Sequence, residues 1–425
     1  MKEDLLHFIW RTRRFDPTDL KTTAGEPLVI LQTGTHNSHA GPDFVNARIQ
    51  IGETQWAGNV EMHLRASEWN EHRHTNDKAY DNVVLHVVLE EDEIIRRASG
   101  ERIPCLEMKK RIPQKIAATY QKLLENEYWI PCRYLFYQAA DLTKNMWADR
   151  LLIERLEAKT AEISERLAQN QNHWEETFYQ FLARNFGVKI NAEPFEMLAR
   201  ETPLQVLSKY KNNLFQIEAL LFGQAGLLDK TFEKADPNAL KKEYHFLQKK
   251  HGLSPLGAAQ WKFLRLRPAN FPTVRIAQFA ALIYHSTHLF SKILEAEQVA
   301  AIEQLFEMET SEYWRTHYTF DKVSQQKEKT VGKNTVRLFV INTIAPFLFL
   351  YGKMRNEEVY KNKALKLLEQ TPAEVNSIMK SWETLGWKAT SAYQSQAMLQ
   401  LKTHYCDRKK CLDCAIGSAL LKENQ

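Results

Sequence analysis

Apolar side chains recur along this chain with two different periods. Up to about Met108 the dominant period is two, the spacing of a strand; beyond Pro113 it lengthens to that of a helix. The start, MKEDLLHFIWRTRRF, reads as a short amphipathic helix followed by a loop through about residue 24. Pro27 to Gln32 reads as an opening strand. Ala47, Ile49 and Ile51 alternate as a second, and Trp56, Gly58, Val60 and Met62 as a third. Val83 to Leu89 is continuously apolar apart from His86, as in a buried strand, and Ile103 to Met108 is a further short strand. Between these strands a short helix is expected from about Ser67 to Tyr80.

The helical part opens with QKIAATYQKLLENE, whose Ile116, Tyr120, Leu123 and Leu124 share one face. Tyr128 to Cys132 interrupts it. Residues 140–425 then read almost wholly as helices. MWADRLLIERLEAKTAEISERLAQ is long and amphipathic. NHWEETFYQFLARNFG follows, with Gly187 as its expected stop. EPFEMLARE, PLQVLSKYK and NLFQIEALLFGQAGLL come next. Leu338 to Tyr351 is the most apolar run, but Asn342 and Pro346 make it a buried helix with a kink or break. Residues 320–335 are a polar loop. No repeat of fixed length appears. The fold class is therefore α+β with a mixed sheet at residues 1–112, followed by a large all-α domain at 113–400 and a cysteine-rich segment at 401–425.

Composition changes this picture little. With 425 residues, 44% hydrophobic and 26% charged, the chain has the makeup of an ordinary soluble protein of two or three domains. A net charge of +5 permits nucleic-acid binding without requiring it. The start lacks the apolar core and small-residue cleavage site of a secretory signal. No run reaches about 18 uninterrupted apolar residues, so no membrane partner is expected. Five cysteines, three of them clustered near the end, argue against a disulfide framework and for a cytoplasmic, reducing location.

The unusual polar chemistry is concentrated between Gly34 and Glu91. Asp43 precedes the second strand, and Glu61 and His63 lie two apart near the end of the third, on one side of it. His72, His74 and Asp77 follow, with His36 and His39 upstream and His86 in the buried strand. Carboxylates from adjacent strands can converge on a hard divalent cation, which takes oxygen ligands. Such a metal would activate water and offset charge on a phosphate. A zinc site made of His63, His72 and His74 is the chemical rival. The plainer alternatives are Asp43 as a turn residue after Gly41-Pro42, surface histidines in the helix, and His86 as a satisfied core residue.

Pro42-Asp43 before a strand and Glu61-Met62-His63 at the end of a hairpin resemble the motif of the PD-(D/E)xK nuclease superfamily, over roughly residues 25–110. The resemblance implies a restriction-endonuclease-like fold. It also implies Asp43 and Glu61 holding Mg²⁺ or Mn²⁺, and phosphodiester hydrolysis on DNA or RNA. His63 stands where that pattern has lysine. Histidine is not a fixed cation near neutral pH, so the resemblance leaves open an active nuclease and a non-catalytic nucleic-acid or ribonucleoprotein binder. A zinc hydrolase using the histidines is a third reading.

Two further segments carry chemistry. In WKFLRLRPANFPTVRIAQFAA, Arg265, Arg267 and Arg275 alternate with aromatic residues. They are either a docking surface for a nucleic-acid backbone or arginines bonded inside a helix pair. At the C-terminus, Cys406-x4-Cys411-x2-Cys414 has the close thiol spacing of a metal site. His404, Cys105 or Cys132 is the candidate fourth ligand, for zinc or for an iron–sulfur cluster. Some nucleases of the superfamily just named carry such a cluster joining distant segments, which implies Cys132. Over nearly its full length, through GTHNSHAGPDF, GNVEMH, YDNVVLHVV, EALLFGQAGLL, RLRPANFPTVRIAQFA and the terminal cysteines, the chain is similar to a bacterial family of unknown function. That similarity implies a cytoplasmic bacterial protein and supplies no activity.

Overall fold

The computed structural model describes residues 2–422. The chain folds as two compact units, one made of the residues up to 148 together with those from 401, the other of residues 149–400. The first unit is α+β and the second is almost wholly helical. The expected boundary at 112/113 is displaced to 148/149, and the segment expected to stand alone at 401–425 joins the first unit; its residues 423–425 lie outside the described residues. The reason is packing. The helix α3, Gln114–Glu125, buries Ile116, Tyr120 and Leu123 in the same core as Leu106 and Met108 of the sheet, and Cys411 and Leu421 join that core.

The first unit opens with α1, Glu3–Thr12, which buries Leu5, Leu6, Phe8, Ile9 and Trp10. A six-stranded mixed sheet follows. Its strands are β1 (Leu28–Gln32), β2 (Thr35–His36), β3 (Phe44–Ile51), β4 (Thr54–Arg65), β5 (Val83–Glu90) and β6 (Cys105–Glu107), in the order β1-β3-β4-β5-β6 with β2 beside β3. β1, β3 and β4 are antiparallel neighbours, whereas β4, β5 and β6 run parallel. Gly52 turns the β3–β4 hairpin at φ +59°, where a side chain would be strained, and Ile51 pairs with Thr54 across it. The short strand β2 has no counterpart in the periodicity.

The helix expected from Ser67 to Tyr80 is broken. The helix α2 spans only Glu68–Glu71, and Arg73 at φ +62° ends it; tight turns follow at His74–Asn76 and Lys78–Tyr80. Tyr80 and Trp69 are both buried; Tyr80 stacks on the His74 ring and Trp69 meets that ring edge to face. That packing requires the chain to double back, and a continuous helix cannot do so. Asp77 serves the turn, accepting the Ala79 N–H at 2.9 Å.

In the second unit the long helix α4 is Asp141–Gln169, of which residues from 149 belong to that unit. Then come α5 (Trp174–Phe186), α6 (Ala192–Arg200), α7 (Leu204–Leu207) and α8 (Leu214–Gln224). Gly187 does not take the left-handed conformation of a helix stop: its φ is −66°, and Val188 has the positive φ instead. A Cβ on Gly187 would lie 2.1 Å from the Asn191 carbonyl oxygen, so glycine is needed there for space. The apolar run around Pro346 is helical from Lys333 to Arg355, and its hydrogen bonding widens into a π-turn at Val340–Ile344 just before the proline. By length and composition this helix would reach across a bilayer, but 72% of its most apolar window is buried within the protein, as in a core helix.

One buried acid in this unit has a thermodynamic consequence. Glu218 of α8 is almost wholly buried and accepts the Ser311 hydroxyl at 2.9 and 3.1 Å. Burial pushes its carboxyl up to about 7, more than the Ser311 and Trp314 side chains bring it down. A carboxyl raised on folding holds its proton in the native state after the unfolded chain has released it. Stability is therefore expected to fall as pH rises from about 4.5 to 7. Urea unfolding of the wild type and of Glu218→Gln across that window checks this: the difference in midpoint between them should grow with pH in favour of the glutamine.

Candidate metal centre

Strand register sets Asp43 beside Glu61. Phe44 pairs with Val60 across β3 and β4, so the residue just before β3 lies next to Glu61. The Asp43 N–H donates to Glu61 Oε2 at 3.1 Å, and the Met62 N–H donates to Asp43 Oδ2 at 2.9 Å. Two carboxylates are thus fixed near one another by the backbone of the hairpin. Val60 and Met62 enter the core, and the alternation of β4 turns Glu61 and His63 to the other side.

Imidazoles surround Glu61. His74 Nε2 lies 3.4 Å and His63 Nε2 3.7 Å from Glu61 Oε1, and His63 Nε2 lies 3.2 Å from His72 Nδ1. One ring nitrogen from each of His63, His72 and His74 lies within 4.8 Å of the others. Behind them His86, which pairs with Glu61 across the parallel β4–β5 ladder, places its Nε2 2.9 Å from His63 Nδ1. His86 thus fixes the ring orientation of His63, as the outer partner of a metal-bound histidine does.

A second group adjoins the first. Glu3 and His7, one turn apart on α1, meet Asp43, and one atom from each lies within 4.8 Å of the others. His7 Nε2 is 3.3 Å from Asp43 Oδ2 and 3.6 Å from Glu3 Oε1. Neither Glu3 nor His7 stood out in the sequence. Their i, i+4 spacing on the polar side of an amphipathic helix was the available signal, but nothing local says what that helix faces.

The electrostatics separate the two groups. Burial, with His86, His74 and His72 next in effect, pulls the His63 imidazole down to about 2, and burial pulls His86 down to about 3. Both rings are neutral, the form that ligates metals. Burial lifts the Glu61 carboxyl above the usual range, partly countered by His74. For His7, burial pulls the ring down, but Asp43 and Glu3 outweigh it and the net shift is upward. A carboxylate gathered with neutral imidazoles in a buried place is stabilised by a cation among them.

The donor set fits a metal ion. His74 Nε2 and His7 Nε2 are both buried and make no hydrogen bond of acceptable geometry, although each has a carboxylate oxygen nearby. Buried polar atoms are rarely left so. The group Glu61, His63, His72 and His74 suits Mn²⁺ or Zn²⁺, which accept imidazole, and the group Glu3, His7 and Asp43 suits Mg²⁺ or Mn²⁺.

A cleft of about 460 Å³ opens beside the second group. His7 and His36 line it together with Lys2, Arg11, Arg408 and Lys410, and Asp4 and Asp413 are the acids on its wall. Cations therefore predominate along it. His36 lies 5.5 Å from the His7 ring, centre to centre, whereas His39 is exposed and its N–H is held by Asn37.

The remaining candidates have other surroundings. Arg275 is buried, and its guanidinium bonds to Asn270 and Gln278 at 2.7 and 3.1 Å, so it presents no docking surface to a nucleic acid. Arg265 and Arg267, also in the second unit, are exposed. Arg14 is likewise spent internally, on the carbonyl and hydroxyl of Ser418. Cys132, Cys406, Cys411 and Cys414 all belong to the first unit, and Cys132 packs against the core that contains Cys411, whereas Cys105 lies in β6 with its thiol near Thr23 and Glu91.

The fold and pocket define an α+β protein with a histidine- and carboxylate-lined centre in its sheet unit, joined in sequence to a helical unit. The chain belongs to the family described as protein of unknown function (DUF2851), whose model matches residues 3–377. That span contains every residue of both histidine–carboxylate groups and stops short of Cys406. No curated protein and no solved structure matches the chain.

Proposed function

We propose that this protein is a metal-dependent phosphodiesterase acting on nucleic acid. The observation that carries the reading is the convergence of Asp43 and Glu61, set side by side by the β3–β4 hairpin, with His63 of β4 and with His7, His72 and His74 from two other segments. The order of elements supports it. A helix, three antiparallel strands (β1, β3 and β4), a helical connection and a parallel strand β5 follow one another, with Asp43 just before β3 and Glu61 on β4, an order compatible with the PD-(D/E)xK resemblance.

His63 departs from the pattern's lysine, and its burial gives it a different task. A neutral ring held by His86 cannot supply positive charge, but it offers a lone pair to a cation. Glu61, His63, His72 and His74 would hold one ion, and Glu3, His7 and Asp43 a second. Bound there, a divalent ion supplies an activated water and offsets charge on the phosphate. Lys2, Arg11, Arg408 and Lys410 would hold the polymer's phosphates along the cleft.

A zinc hydrolase of small substrates is the second reading, favoured by the three imidazoles of one group. The basic lining of the cleft ranks a polyanion ahead of it. The test incubates the full chain with single- and double-stranded DNA and RNA, with Mn²⁺, Mg²⁺, Zn²⁺ or chelator, beside a panel of small esters. Metal-dependent cleavage of polymer, lost in His72→Ala, is the expected result. Hydrolysis of the esters alone would select the second reading. Salt-sensitive binding without turnover would remove catalysis and leave a binding protein.

A further inference from the structure

We infer that Cys132, Cys406, Cys411 and Cys414 form a tetrathiolate metal site, separate from the histidine centre, that fastens the C-terminal knuckle to the sheet unit. The close spacing of the last three is only the beginning of the argument. Cys406 ends a π-helical turn, Leu401–Cys406, and the chain then reverses: the Lys409 N–H donates to the Cys406 carbonyl at 3.1 Å and the Lys410 N–H to Tyr405 at 2.9 Å. Lys409 takes a left-handed conformation at φ +51° to make this turn. Cys411 and Cys414 follow, and Cys414 immediately precedes the helix Ala415–Lys422.

That helix is drawn close to the turn. A Cβ on Gly417 would lie 2.3 Å from the Cys411 carbonyl oxygen, so only glycine allows the approach. The backbone N–H groups of Ile416 and Gly417 are directed at the Cys414 sulfur, which acts as an acceptor, as a metal-bound thiolate does. Cys132 arrives from the loop after α3. It packs against the core that contains Cys411, and it lies within electrostatic reach of Cys406, Cys411 and Cys414. Cys411 and Cys414 are buried and Cys132 and Cys406 half-buried, and all five cysteines are free of disulfides. Four thiols, three on one tight knuckle and one from a distant segment packed on the same core, are the ligand set of a structural zinc or of an iron–sulfur cluster.

The placement also has a consequence for the cleft. Arg408, Lys409 and Lys410, between Cys406 and Cys411, line it together with His7 and His36. A metal at the cysteines holds that basic wall in place. This consequence rests on the nucleic-acid reading, whereas the metal site does not.

The experiment purifies the full chain without oxygen or chelator, quantifies zinc, iron and acid-labile sulfide, and records X-ray absorption at the metal edge. The expected result is a sulfur shell at about 2.3 Å, with roughly one zinc or with iron and matching sulfide. Zinc identifies a mononuclear site and iron with sulfide a cluster; either supports the assignment. Cys132→Ser and Cys411→Ser should each lose at least about tenfold of the sulfur-bound metal, while His72→Ala keeps it. Protein with no metal, or a spectrum with only nitrogen and oxygen neighbours, overturns the site. So does full retention of sulfur-bound metal in Cys132→Ser. The wild-type spectrum decides even if the serine variants fail to fold, and nuclease activity plays no part in the outcome.

Discussion

Asp43→Ala should abolish metal-dependent cleavage, lowering the rate by roughly a thousandfold, the scale on which charge-stabilising groups act in active sites. Asp43 links the two groups: its backbone N–H donates to Glu61 and its carboxylate faces His7. Under the proposed function, removing it would take a ligand from one ion and loosen the partner acid of the other. The alanine variant also leaves the Met62 N–H without its acceptor. Asp43→Asn is therefore the companion measurement, because it keeps an acceptor of the same shape and removes only the charge. Both variants should be inactive, the asparagine variant with a native urea midpoint. Cleavage by Asp43→Ala at the wild-type rate would falsify the assignment of catalysis to this pocket.

Gly223→Ala should destabilise the helical unit by about 3 kcal/mol, read as a lower urea midpoint. Local propensity argues the opposite, since alanine is better than glycine inside a helix by about 1 kcal/mol. Packing decides the sign. A Cβ on Gly223 would lie 2.0 Å from the Tyr244 ring. That ring is buried and its hydroxyl is tied to Gln224 Oε1 at 2.7 Å, so it cannot swing aside without breaking a buried hydrogen bond. Here α8 meets Ala235–His251 at closest approach, and the missing side chain makes room for the aromatic face. A Gly223→Ala variant as stable as the wild type would mean that the two helices can part at little cost.

Part of the candidate centre was legible because strands encode facing directly. Alternation placed Glu61 and His63 on one side of β4, and the hairpin at Gly52 carried Asp43 to them. His72 and His74 were visible as residues, but their approach was not. It depends on the reversal at Arg73 and on Trp69 and Tyr80 enclosing His74. Glu3 and His7 were missed because a helix face names no partner. The arginines after Trp261 show the converse. Arg275 looks like its neighbours in sequence, yet its guanidinium is consumed inside the helical unit.

By itself the sequence determined five of the six strands of the sheet, the helical character of most of the chain after Pro113, and the pairing of two acids across one hairpin. These follow from periods of two and 3.6 and from turn residues, which act over a few positions. The tertiary structure alone decided that α1 brings Glu3 and His7 to Asp43, that α3 and the last cysteines belong with the sheet, and that Arg14 is spent on Ser418. Those contacts join segments far apart in the chain. They are selected by the shape and burial of whole faces, which no local pattern records.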